Sequence, residues 1–142
     1  MASAEKPKEG VKKPAAVIAD AESTDSGIVG MLRQGWVSVA CWMTVGLLLE
    51  GLLGYKAPSY LNDPQRRELF RLAHTHGTLL GAVLVLAGLT GQRFGVPPRL
   101  AQLALRIGAV LMPVGFLLAG IWHPEGDPGL AIWMVPPGAL LM

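Results

Sequence analysis

Residues 72–91 read LAHTHGTLLGAVLVLAGLTG, and the fold turns on how this stretch is understood. The hydrocarbon core of a bilayer is about 30 Å thick and a helix rises about 1.5 Å per residue, so a crossing takes about 20 mostly apolar residues. This stretch supplies them without an Asp, Glu, Lys or Arg, and its polar groups are confined to His74, Thr75, His76, Thr78 and Thr90. It therefore reads as a membrane helix with a polar mouth.

The flanks repeat the pattern. Upstream, 35–54 form a first apolar run with one charge, Glu50, and with Trp36, Tyr55 and Lys56 placed as interfacial anchors. The loop between the two runs ends in Asp63-Pro64, where Asp suits an N-cap and Pro the first helical turn, so the second helix starts ahead of its span at 70–91. Downstream, Pro97-Pro98 mark a turn before a third span at 100–122, in which Arg106 is expected to snorkel to the near interface and Pro113 to bend the helix. A second Asp-Pro pair, Asp127-Pro128, introduces a short apolar segment at 129–142 that carries Pro136-Pro137. As helix it falls short of the hydrocarbon thickness, so it is expected to enter only partway or to be truncated. The fold class is all-α: a small multi-pass transmembrane helix bundle with three spans and a short fourth.

Composition agrees. The chain is 51% hydrophobic and 15% charged, with a mean hydropathy of +0.43, which is too apolar for an ordinary soluble domain. A net charge of +2 and the lack of a basic patch interleaved with aromatics exclude nucleic-acid binding. Cys41 is the single cysteine, so no intrachain disulfide and no cysteine-based zinc or iron-sulfur site is available, and it reads as a packing residue.

Residues 1–30 mix Lys, Glu, Pro, Ala and Ser with few large apolar side chains, and are expected to be a disordered tail rather than a signal peptide. With the tail inside, Lys6, Lys8, Lys12, Lys13, Arg33, Arg93, Arg99 and Arg106 face four basic residues outside, Lys56, Arg66, Arg67 and Arg71. That bias predicts a bacterial-type inner-membrane protein with a cytoplasmic N-terminus.

Two stripes of small residues predict helix packing. Ala73, Gly77, Gly81, Gly88, Gly91 and Gly95 share an arc of the second span, and Ala104, Gly108, Gly115 and Ala119 an arc of the third, so these two helices are expected to pack against each other. The remaining lipid-facing surface leaves room for a homo-oligomer or a larger membrane complex.

Hairpin topology gathers Glu50, His74, His76, His123, Glu125 and Asp127 at one rim. One reading makes His74 or His76 with His123 ligands to a haem b, or His74 and His123 with Glu50 ligands to a divalent metal. A second makes the cluster a proton-handling or pH-sensing group. The plainest makes these interfacial histidines bonded to backbone and headgroups, with Asp127 a helix cap and Glu50 either paired inside the bundle or reaching the headgroup layer. His74 and His76 point about 200° apart on a regular helix and cannot hold one metal, and His74, beside the glycine arc, is the one expected to face inward. Phosphate-loop, nucleophile-elbow and HExxH signatures are absent, which points away from catalysis and toward an accessory or interaction component.

Overall fold

The computed structural model describes residues 14–142 except 96 and 125, with side-chain surroundings from residue 26 onward. It is helical throughout: α1 (Pro14–Gly54), α2 (Pro58–Leu61), α3 (Pro64–Phe94), α4 (Arg99–Ile121), a 3-10 turn at Leu130–Met134 and α5 (Val135–Leu140), with no strand among the described residues. Three helical stretches, Ser26–Gly54, Pro64–Phe94 and Arg99–Ile121, are long and apolar enough to cross a membrane. The chain is an all-α bundle of the expected class.

The N-terminal boundary differs from expectation. Helix α1 already includes Pro14, and Ile28 and Met31 are buried, so the segment expected as tail up to residue 30 is in large part helical. Residues 1–13, including the four tail lysines, lie outside the described residues. The physical reason is that Ile28 and Met31 extend the apolar face of α1 onto Leu84 and the end of α3, which the sparse hydrophobic content of the preceding residues concealed. Trp36 consequently sits within the span rather than at its edge.

Each α-helical junction has its own chemistry. At the end of α1 the amide of Ala57 donates to Leu52 O at 3.0 Å and that of Lys56 to Leu53 O at 3.1 Å, the double bond of a Schellman turn. Lys56 takes the left-handed position, φ 51°, where glycine is usual. At α3 the expected cap forms: Asp63 accepts from the Arg66 amide at 2.9 Å, with Pro64 in the first turn. Asp127-Pro128 does not repeat it. The last segment starts after Gly129, without a side-chain cap, because the Gly129 amide donates to Ala119 O at 3.3 Å and a Cβ there would collide with the Trp122 carbonyl. A tight reversal, rather than a cap, is what that loop requires.

The glycine stripes make close contacts, with different partners from those expected. Gly77 lies against the Trp42 indole, Gly81 against Ser38 and Val39, and Gly88 against Leu32, all on α1. Gly108 and Gly115 face the short C-terminal segment, at Gly138, Leu141 and Met134. Thus α3 turns its small-residue face to α1 and meets α4 through larger side chains such as Phe70 and Leu69, which lie on Gly120. Gly91 is buried as well. Along the α1–α3 seam the two backbones come closest at Gly35, where an added Cβ would stand 2.7 Å from Gly81 O and 2.9 Å from the Val85 amide. Ser38 Oγ donates to Gly77 O at 3.1 Å across the same seam.

The helices form a row. α1 packs along α3, α3 along α4, and the C-terminal segment on the far side of α4, while α1 touches α4 mainly near its start, where Arg106 Nε donates to Gln34 Oε1 at 2.8 Å and Gln34 Nε2 to Arg106 O at 2.7 Å. Arg106 therefore bonds a neighbouring helix instead of only snorkelling. Pro113 is fully buried within a continuous α4. The segment from Leu130 to Leu140 rises roughly 19 Å at 3-10 and α-helical spacings, too little for a crossing.

Gly35→Ala is expected to destabilise the protein by about 1–3 kcal/mol through overpacking of the α1–α3 seam. Gly51→Ala, where a Cβ meets nothing within 4 Å, should be neutral or stabilising by up to about 1 kcal/mol. Denaturant unfolding in mild detergent separates the two.

Candidate functional site

The rim predicted from hairpin topology exists, but its residues divide into three places. Antiparallel contacts bring the end of α1, the start of α3 and the end of α4 together: Arg66 Nε donates to Gly120 O at 3.1 Å, and Glu50 and Leu53 of α1 line one groove with Arg67 and Arg71 of α3.

His74 turns to α1. Its Nδ1 lies 2.7 Å from Trp42 O, and since a carbonyl only accepts, Nδ1 carries the proton. Gly46 makes this possible, because a side chain there would fall on the imidazole. His76, two residues on, faces the other way: its ring centroid is 5.1 Å from that of Phe116 in α4, and Nδ1 bonds Leu72 O at 2.8 Å in its own helix. The angular argument from sequence anticipated this split. His123 lies beyond α4, with Nδ1 3.1 Å from Pro124 O and Nε2 3.0 Å from Asp63 Oδ2, off the line of a good hydrogen bond. The contact is attractive whenever Nε2 carries a proton, in the neutral Nε2–H tautomer as in the imidazolium.

All three histidines thus lie within hydrogen-bond distance of a backbone carbonyl. The set His74, His123 and Glu50 is not brought together, and among the described residues no three of His, Cys, Asp and Glu are placed to share a metal ion. The three imidazoles bond three different carbonyls, those of Trp42, Leu72 and Pro124. Asp127 is exposed and caps no helix, and Glu125 lies outside the described residues.

What the structure does form is a groove of about 620 Å³ between α1 and α3. Glu50, Tyr60, Arg67, Arg71 and His74 line its polar end, and Met43, Leu47 and Leu53 its apolar walls. Glu50 is exposed in the groove mouth rather than paired inside the bundle, and it makes no ion pair within 4.0 Å among the described residues. Arg66 is held by Asp63, Ser59 O and Gly120 O, and Arg71 lies 3.5 Å from Glu68. Tyr60 and Arg67 are the members that the sequence did not single out. Their signal was the position of PSYL and of the arginine run next to Glu50 across a short loop.

Asp63 organises the second place. The Arg66 amide holds its carboxyl below the ordinary carboxylate value, partial desolvation opposes that, and the nearby charges of His123 and Arg66 add to the lowering.

Comparison with known proteins finds no matching family, no similar curated protein and no similar solved structure. The geometry alone carries the functional argument.

Because the Asp63 pKa is depressed on folding, its contribution to stability is complete above the ordinary value of 3.8 and disappears as pH falls through the lower folded value. Thermal unfolding in detergent should therefore show an acid limb below pH about 4 that Asp63→Asn flattens. Asp63→Ala should also lower Tm at neutral pH, because Asn still caps the helix and Ala does not.

Proposed function

We propose that this protein is a non-enzymatic accessory component of a membrane assembly, resident in a bacterial-type inner membrane with its N-terminus on the cytoplasmic side. The observation that carries the reading is the exposure of α1. In its most apolar window only 6% of residues are buried, against 39% in each of the other two spans.

A helix that packs along one neighbour and touches a second only near one end presents most of its circumference to the membrane plane. On α1 this free face includes Trp36, Val37 and Leu48. A row of helices, unlike a closed bundle, offers broad sides on which another membrane chain can lie, and small residues elsewhere already show how this sequence makes close helix contacts. The dispersal of the histidines supports the same conclusion, since cofactor chemistry needs convergent ligands. Proton handling draws on one observation, the 3.0 Å approach of His123 to Asp63.

Cys41 gives a direct test, because it is exposed on α1. Oxidative or bifunctional cross-linking through Cys41 in native membranes should capture a second polypeptide, either another copy or a different chain. Capture of lipid alone, with a monomeric particle in mild detergent, removes the reading. Joint replacement of His74, His76 and His123 by Ala should leave the cross-linked species in place. A Soret band or stoichiometric metal in the purified protein, abolished by that triple replacement, would instead establish a cofactor binder.

A further inference from the structure

We propose that the groove between α1 and α3 binds the headgroup of a membrane phospholipid that carries both a phosphate and a primary amine, with an acyl chain along its apolar wall. Three polar groups in the groove have no side-chain partner among the described residues. Tyr60 is 4% exposed, yet its hydroxyl makes no hydrogen bond among the described residues. The ring is packed away while the hydroxyl still reaches the groove, where it can donate to a ligand seated there. Arg67 is half-buried, and its guanidinium, alone among the three arginines that open α3, has no carboxylate within 4.0 Å among the described residues. Its planar fork of donors suits two phosphate oxygens.

The third group is Glu50, a carboxylate in the same groove that pairs with neither Arg67 nor Arg71. A site for a simple anion would not place an unpaired carboxylate beside its cation, since like charge repels the ligand. A dipolar headgroup resolves this: phosphate to Arg67 and the Tyr60 hydroxyl, ammonium to Glu50. The levels agree. Arg67 lies in the first turn of α3 and Glu50 one turn from the end of α1, where the headgroup layer meets the span ends, and Met43 and Leu47 lead from there toward the hydrocarbon. The ligand is thus an aminophospholipid supplied by the bilayer itself. The site belongs to the single chain and does not depend on any assembly.

The test is native mass spectrometry of the full chain released from mild detergent after equilibration with equal amounts of phosphatidylethanolamine, phosphatidylglycerol and phosphatidylcholine. Phosphatidylethanolamine adducts should predominate. Arg67→Gln should lower them about tenfold, as loss of a charge-assisted bond does, and Arg67→Lys less. Glu50→Gln should bring phosphatidylethanolamine down to the level of phosphatidylglycerol. Tyr60→Phe, which deletes one oxygen and keeps the ring, should reduce retention severalfold at unchanged Tm and guards against misfolding of the arginine variant. Arg93→Gln, at the other end of α3, should change nothing. Equal binding of the three lipids, or a preference unaffected by Arg67→Gln and Glu50→Gln, overturns the proposal. Displacement of the lipid by an equal concentration of glycerophosphoethanolamine overturns the lipid assignment in favour of a soluble phosphate ester.

Discussion

The contact of bare backbone between α1 and α3 is the constraint on which the other contacts depend. At Gly35 and Gly81 the two helices approach until each helix's carbonyl lies within 3.1 Å of where the other's Cβ would be. In lipid there is no hydrophobic gain from bringing apolar helices together, so association rests on dispersion at short range and on interhelical hydrogen bonds. The seam supplies both. Once it is closed, Trp42 lies flat over Gly77, its carbonyl receives His74, and the rim of α1 is held beside the opening turns of α3. The groove exists because the same two helices, in contact at their middle, leave space beside the loop that joins them.

Much of this was legible in the chain. Twenty-residue apolar runs report spans directly, since the bilayer sets their length. Asp63-Pro64 reported a helix start because capping is a local property, decided within four residues. The opposite headings of His74 and His76 followed from helix geometry alone. The small-residue stripes were visible too, but which helix they would meet was not: a stripe records that some backbone comes close, and the partner is selected by tertiary arrangement. For α3 the sequential neighbour α1 won, and Gly108 and Gly115 of α4 went to a segment whose own Gly138 lay hidden between two prolines and an apolar end.

The site was less legible than the fold for a related reason. Histidine and carboxylate are noticed in an apolar chain, so the eye groups them, yet a rim has a circumference and residues on it need not converge. His123 went to Asp63, a residue first recognised only as a cap. Gln34 and Arg106 pair across 72 positions of sequence, and nothing local announces that bond beyond two polar side chains at the same end of different spans. Tyr60 acquires its importance from burial, a quantity that composition and spacing do not encode.

The brevity of the C-terminal hairpin bears on how the protein is made. Spans as apolar as α1, α3 and α4 can partition into the bilayer one at a time, each with its backbone satisfied internally. The stretch from Leu130 to Leu140 is too short to do so alone, and it depends on the glycines of α4 for a surface to lie on. Insertion therefore has a local order: α4 must already be in place before Leu130–Leu140 can leave the water, so the docking of this segment follows that of the helix it lies on.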